Sequence, residues 1–492
     1  MPERVGALDL GTTGVRCVIY DHRARPVATA YRELPLRLPQ PGWVEQDPEE
    51  MIAAARGVFS EALARASLSP AGVAALGITN QRETVVVWDR ATGRPLAPAI
   101  VWQDRRTAPL CERLRAEGHA DWVRRRTGLP LDPYFSATKL AWLLEGIPGL
   151  RAQAERGDAL WGTVDAWLVW NLTGAHATDP TNASRTLLFD LHRREWDPEL
   201  LELFGVPAAW LPAVRPSLSS FGRWEGVPVT AVLGDQQAAL FGQGGIAPGR
   251  AKVTWGTGAF LLLNVGPAPV HSGHGLVATV AHARGEGEAC YALEGSVFVA
   301  GAAVQWLRDG LGILAAAAEA DALAASLPDN DGVYFVPALA GLGAPHWDPH
   351  ARGTILGLTR GTTRAHLARA ALEAIAYQTH DLVRAMEADT GQELRELHVD
   401  GGAARSDFLC QFQADVLGIP VLRPADLETT SRGAALAAGH AAGLWTEDEV
   451  AEAAAADLTR FLPTGAAART ARQLSGWRRA LDRARGWAAP AD

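Results

Sequence analysis

A strand, a turn of glycine and threonine, and a second strand occur twice in this chain, once as VGALDLGTTGVRCVIYD from Val5 and again as AKVTWGTGAFLLLNVG from Ala251 to Gly266. A hairpin design repeated at such a distance constrains the chain to two related halves. Between the copies lies a proline-rich connection, followed by VPVTAVLGDQQAALFGQ (Val227 to Gln243) and the loop GGIAPG. The first of these segments reads as a strand that breaks at Gly234 and Asp235 into a helix. The domain boundary is placed near Gly244, giving units 1–244 and 245–492. Helical periodicity over Pro48 to Ala66, Ala365 to Met386 and Asp407 to Leu417 alternates with strands such as LGIT (Leu76 to Thr79) and LHVDGG (Leu397 to Gly402), which predicts layered α/β domains. From about Glu447 the chain is alanine-rich, and it is predicted to be helical and to pack across the second domain.

The length of 492 residues allows two full hydrophobic cores, and 48% hydrophobic with 21% charged residues is the balance of a soluble globular protein. A net charge of -9 argues against nucleic acid or an anionic membrane as partner and favours a small substrate. Cys17, Cys111, Cys290 and Cys410 show no CxxC spacing, so neither a zinc site nor a disulfide framework is indicated and reduced thiols are expected. With no signal-peptide core before Val5 and no apolar run of the roughly 18 residues that a membrane span needs, a cytoplasmic location is expected. Lysine occurs only at positions 139 and 252.

The stretch from Gly77 to Thr107 sets two polar clusters beside apolar runs: Asn80, Gln81, Arg82 and Glu83 before the strand TVVVW, and Trp102, Gln103, Asp104, Arg105 and Arg106 after the turn at Thr92 and Gly93. Arginine and glutamate side by side supply donors and acceptors, and an indole offers a flat apolar wall, so a small polyhydroxylated substrate could be gripped here. A surface charge pair and a core tryptophan are the structural alternative. No GxxxxGK[ST] motif is present, which excludes a P-loop. The turns GTTG (Gly11 to Gly14) and GTG (Gly256 to Gly258) can instead offer backbone N–H groups and hydroxyls to anionic oxygens, or serve as ordinary hairpins. Asp9 beside the first turn suits Mg²⁺, which favours carboxylate and water ligands. Asp235 reads either as a helix N-cap or as a proton acceptor. His346, Asp348 and His350 fit a proline-ordered loop better than a metal site.

DLGTTG, NQRET, VWQDRR, LPLDPYFSATKL (Leu129 to Leu140), TDPTNASRTLLFD (Thr178 to Asp190), GDQQAALFGQ, WGTGAF and VDGGAARSDF (Val399 to Phe408) together resemble the FGGY carbohydrate kinases, and among them the glycerol kinases, over nearly the whole chain. The resemblance implies two ribonuclease-H-like domains of the actin and hexokinase superfamily with a catalytic cleft between them. It further implies ATP and Mg²⁺ as cofactors, glycerol as acceptor, sn-glycerol 3-phosphate as product, and a homodimer or homotetramer.

Carried over residue by residue, the resemblance makes Asp235 the general base. Arg82, Glu83, Tyr134, Asp235 and Gln236 become contacts to the acceptor, with Trp102 and Phe260 packed on its carbon chain. Thr12, Thr13, Gly14 and Arg16 are assigned to the terminal phosphates from one side and Gly256 and Thr257 from the other, while Gly301, Gln305, Gly402 and Ser406 line the nucleotide pocket and Asp9 holds the metal. Leu10, Gly14 and Ser406 depart from the usual pattern of Gln, Ser and often Asn, and the shorter Ser406 weakens the expected contact to the nucleotide.

The segment GTILGLTRGTTRAHLARAALE (Gly353 to Glu373) is expected to be a structural helix on the hinge side. Where some relatives bind fructose 1,6-bisphosphate through glycine and arginine, this chain reads GRWEGVPV (Gly222 to Val229), and the Glu225 carboxylate predicts weak or absent inhibition, with Arg223 the one residue that could restore binding. The competing readings are a kinase of another polyol, such as xylulose, ribulose, gluconate or erythritol, and an actin-like nucleotide switch without an acceptor pocket.

Overall fold

The structure, a computed structural model, describes residues 3–285, 287–465 and 467–488. The first hairpin pairs β1 (Arg4–Leu10) antiparallel with β2 (Gly14–Tyr20), and β3 (Pro26–Glu33) extends it. On the other side of β1, β4 (Val73–Asn80) runs parallel, followed by β5 (Leu218–Trp224) and β6 (Val227–Gly234), in the order β5-β6-β4-β1-β2-β3. The second sheet repeats the plan: β7 (Ala251–Trp255) and β8 (Ala259–Gly266) form the hairpin, then come β9 (Val277–Gly285), β10 (Glu288–Val297), β11 (Leu397–Asp400), β12 (Val421–Pro424) and β13 (Leu458–Phe461). Their order is β9-β10-β8-β7-β11-β12-β13, with β7 and β11 parallel at the centre as β1 and β4 are in the first sheet. Both sheets contain the same arrangement, three antiparallel strands joined to two parallel ones. The two related halves that the duplicated hairpin predicts are therefore present, with the ribonuclease-H-like plan that the resemblance implies.

Helix α1 (Pro48–Arg65) is capped by Asp47, whose carboxylate accepts the Glu49 N–H, and it covers one face of the first sheet through Met51, Ala55, Val58 and Phe59. The two helices between the halves exchange sides. Helix α2 (Asp235–Gly242) leaves the first sheet and lays Leu240 against Leu262, Ala281 and Ala292 of the second. Helix α3 (Arg364–Thr390) and helix α4 (Asp407–Leu417) belong to the core of the second half, whereas α5 (Thr429–Ala441) comes back to the first sheet and buries Ala434 to Ala438 against Val5, Ala7, Ala75 and Ala231. Helix α3 was expected at the hinge. The long run of alanines and leucines on it is buried inside the second half, and the hinge helices are the shorter, small-residue pair α2 and α5.

Two other expectations need correction. The alanine-rich C-terminal region contains a strand, β13, between α6 (Glu447–Ala455) and α7 (Ala467–Ala484). Helix α6 places Val450 in the core shared by the first sheet and α5, so only α7 packs on the second half, with Trp477 stacked on Tyr377 at 5.3 Å. No helix among the described residues is long and apolar enough to cross a membrane.

Candidate active site

The ends of β4 and β6 lie side by side, because these strands pair in parallel as far as Gly234 opposite Asn80. The loop after β4 therefore delivers Arg82 and Glu83 to the N-terminus of α2, where Asp235 stands. Arg82 Nε lies 3.1 Å from Asp235 Oδ1, and the same oxygen accepts the Gln236 N–H at 2.7 Å. The other carboxylate oxygen is thus left for a ligand, on a side chain that retains 29% exposure in an otherwise buried neighbourhood. Glu83 has a left-handed φ of +63°, a conformation that costs a non-glycine residue energy.

Four charges are buried around this point. Arg82 Nη1 and Nη2 donate to Glu294 at 2.5 and 3.0 Å; Arg185 donates to Glu83 at 2.5 Å and to Glu294 at 3.1 Å. Pairing of this kind is what makes buried charge tolerable. Burial alone would raise the Glu294 carboxyl, but Arg185 and Arg82 outweigh it and hold it down at about 2. For Glu83 burial prevails over the same two arginines and the carboxyl is raised. Arg82 Nη1 also donates to Gln237 at 3.2 Å, so the Nε hydrogen, whose nitrogen only pairs ionically with Asp235, and a second Nη2 hydrogen carry no hydrogen bond to the described residues.

Three aromatic rings form the wall. Trp102 meets Tyr134 edge-on at 5.4 Å and Phe260 at 6.4 Å, so β8 of the second half closes a box begun by the first. The Tyr134 segment is pinned by Lys139, whose ammonium, in the helix Ser136–Gly146, donates to the carbonyls of Pro133, Tyr134 and Phe135 at 2.7, 2.6 and 3.0 Å. Trp102 is more than a wall: its indole N–H donates to Thr12 Oγ1 at 2.9 Å and ties the acceptor side to the GTTG turn.

That turn closes with Gly11 N–H to Gly14 O at 2.9 Å, and the GTG turn closes likewise between Gly256 and Gly258 at 2.9 Å. Thr13 and Thr257 are exposed at the two tips. A Cβ on Gly14 would come within 2.4 Å of the Tyr31 hydroxyl, so the glycine that replaces the usual serine is matched by a neighbouring ring. Arg16 is paired with Glu428 from the segment leading into α5 and lies 5.6 Å from the Tyr31 ring centre. Gly301 donates its N–H to Gly256 O at 2.9 Å, and Gln305 is exposed at the end of the short helix Gly301–Gln305. Gly402 follows β11 on an exposed turn. Ser406 caps α4 by accepting the Leu409 N–H at 2.9 Å and bonds Asp321, so its hydroxyl is already engaged by the protein.

Asp9, at the end of β1, is half-buried and, among the described residues, its carboxylate accepts only from the Ser431 hydroxyl, at 3.4 Å. Burial pushes its carboxyl up to about 6, Arg16 pulls it down and Asp235 adds to the rise. A half-buried carboxylate with so few donors fits one ligand of a hydrated Mg²⁺, an ion that keeps most of its waters and takes phosphate oxygens as further ligands. Among the described residues no group of three or more His, Cys, Asp or Glu side chains that could hold a metal ion occurs.

The two arginines of the second polar cluster are engaged by protein carboxylates. Arg106 is clamped between Asp104 and Glu45 at 2.8 and 2.7 Å and lies 3.7 Å over Trp43, while Arg105 pairs with Asp132 at the surface. The Asp348 carboxylate accepts the backbone N–H groups of His350, Ala351 and Gly486 and so organises its loop. Arg223 donates to Gly226 O within its own turn, and Trp224 packs on Phe59 at 4.3 Å. Arg185, Glu294, Gln237 and Lys252 escaped the reading of the sequence as site residues. Each is a polar or charged side chain inside an apolar or tightly patterned stretch, such as CYALEGSVF for Glu294, and that misfit is the signal by which they could have been found.

The FGGY family of carbohydrate kinases matches this chain twice, with its N-terminal domain at residues 5–242 and its C-terminal domain at residues 251–442. The chain is 55% identical to a glycerol kinase of Trichlorobacter lovleyi over 98% of its own length and 99% of that protein, and 53% identical to a glycerol kinase of Bordetella parapertussis over 99% and 98%. Among solved structures, the glycerol kinase of Plasmodium falciparum with ADP superimposes with a TM-score of 0.92 at 33% identity, covering 98% of each chain. A xylulose kinase of Lactobacillus acidophilus shares the fold with a TM-score of 0.85 at 23% identity over 96% of each chain. With both domain models matched in order and relatives above half identity along the full length, the chain belongs to the FGGY family of carbohydrate kinases.

Proposed function

We propose that this enzyme transfers the γ-phosphoryl group of ATP to glycerol, giving sn-glycerol 3-phosphate, with Asp235 as general base and a domain boundary near Gly244. The observation that carries the reading is the Asp235 carboxylate itself. One oxygen is held by Arg82 and the Gln236 N–H, and the other has no hydrogen-bond partner among the described residues, which leaves it for an acceptor hydroxyl gripped by Arg82, Glu83 and the rings of Trp102, Tyr134 and Phe260. The relatives named as glycerol kinases support glycerol as the acceptor.

Phosphoryl transfer asks for alignment and charge compensation more than for covalent chemistry. Glu83 and a remaining Arg82 donor pair with hydroxyls of glycerol, and the aromatic rings take the C–H face of its short chain. These polar partners would be left unpaired by a simple alcohol, which is how the pocket selects a polyol. Asp235 accepts the proton of the terminal hydroxyl as its oxygen attacks the γ-phosphorus, a contribution of about 10² to 10⁴ in rate. The two glycine and threonine turns approach the phosphates from opposite halves, and Arg16, released from Glu428, adds a positive charge there. Asp9 would hold Mg²⁺, which when bound would supply positive charge to offset that of the phosphates.

ATP consumption by the purified protein, with glycerol, dihydroxyacetone, xylulose, ribulose or no acceptor, tests the assignment. Turnover with glycerol that falls by at least about 10²-fold in Asp235→Asn is expected. Turnover with a pentulose alone would replace the substrate, and acceptor-independent hydrolysis indifferent to the substitution would overturn the reading.

A further inference from the structure

The three residues that open α2, Asp235, Gln236 and Gln237, are each held from the second sheet. Glu294 on β10 grips Arg82 through both terminal nitrogens, and Arg82 Nε in turn faces Asp235 Oδ1 at 3.1 Å. Lys252 on β7 donates to the Gln236 side-chain oxygen and, at 2.8 Å, to Thr254 Oγ1. Gln237 donates to Thr279 Oγ1 and the Val280 carbonyl on β9, both at 3.2 Å.

The register of the second sheet explains why these contacts coincide. Lys252 is paired with Leu262 across β7 and β8, and Leu262 is paired with Glu294 across β8 and β10. Directly paired residues share a face, so the three form one row, with a cation and an anion flanking a leucine. Leu262 is the residue that meets Leu240 of α2. The row therefore runs under α2, and its two charged members, at most 1% exposed, reach the start of the helix, Lys252 at Gln236 and Glu294 at Arg82, the partner of Asp235.

We propose that Lys252 and Glu294 are positioning residues of the reaction: acting from the second half, they set the orientation of the Asp235 carboxylate, so that docking of the nucleotide-side domain completes the base. The inference rests on Asp235 being the base. An uncoupled carboxylate at the start of a helix could rotate between solvent and the cleft; here one oxygen is fixed through Arg82 and the neighbouring residue through Lys252. Misplacing a reacting group by about 1 Å can cost on the order of 10²-fold in rate.

The test uses the full-length protein with Lys252→Met, which removes the donor while roughly keeping the volume, and Glu294→Asp, which keeps the charge but withdraws it by one methylene. Each substitution is also combined with Asp235→Asn. Folding is checked by thermal denaturation, and kcat and KM are measured for glycerol and ATP. The expected result is a kcat lowered about 10- to 100-fold in each single variant, with KM for ATP within about twofold of the parent. In the Asp235→Asn background neither substitution should lower the residual rate further, because a residue that acts through the base has nothing left to act on.

Folded single variants with parental kcat would overturn the inference, and so would losses that multiply on top of Asp235→Asn, which signify a role independent of the base. Should Glu294→Asp fail to fold, Lys252→Met alone decides. Parental turnover by Asp235→Asn would instead overturn the base assignment beneath it, an outcome distinct from the others.

Discussion

Glu83 shows how a single residue can carry both cost and purpose. Its backbone is in the left-handed region, its carboxyl is buried, and only Arg185 donates to it among the described side chains. We expect Glu83→Gln to raise KM for glycerol about 10- to 100-fold, the scale of one charge-assisted hydrogen bond, with little change in KM for ATP; steady-state kinetics with each substrate varied in turn would check this. At this scale the sequence was half legible. NQRET and GDQQ could be read as sharing one site, and Arg82 does face Asp235. The residues that hold them could not be read, since Glu294 lies 212 positions from Arg82 and Arg185 lies 102 from Glu83, separations at which no local pattern operates.

Among the elements, those whose residues repeat with a helical period were legible to within a few residues, α3 running four residues past its expected end at Met386. Asp407–Leu417 matches its expected bounds, and α1 ends one residue earlier than Ala66. What the pattern could not supply was the surface against which each helix rests, and so α3 was assigned to the hinge. A testable consequence concerns the helix Val164–Thr173, whose Asp165 is fully buried beneath the first sheet and accepts from the hydroxyls of Thr163 and Thr178. Burial first, and then the charge of Asp179, push its carboxyl up to about 7 against the pull of those hydroxyls. A folded-state value above the unfolded value means that the stabilisation is complete below about pH 4 and is lost as pH rises through about 7. Asp165→Asn cannot titrate, so the melting temperature of the parent relative to this variant should fall between pH 5 and pH 8. An unchanged difference between the two pH values would contradict the assignment.

The whole molecule is organised about the crossing of α2 and α5, where glycine permits an approach that no side chain would. A Cβ on Gly433 would meet the Ala238 carbonyl oxygen at 1.8 Å, so Gly433→Ala must force the two helices apart. Because each helix is seated on the sheet of the opposite half, that displacement is transmitted to both. A melting temperature lower by several degrees, together with a loss of kcat, is expected from calorimetry and kinetics on the same preparation. The duplicated hairpin made two halves legible from the sequence, but the exchange of helices between them was not, since alanine-rich stretches specify small contacts without naming the partner. The only two lysines in the chain, Lys139 and Lys252, are both wholly enclosed, one pinning the Tyr134 segment and the other in the row beneath Asp235. The native surface therefore offers no ε-amine to acylating reagents or to enzymes that modify lysine. Covalent tagging at either position becomes a clock for opening of the active site itself, with retained ligand slowing the clock and denaturant starting it.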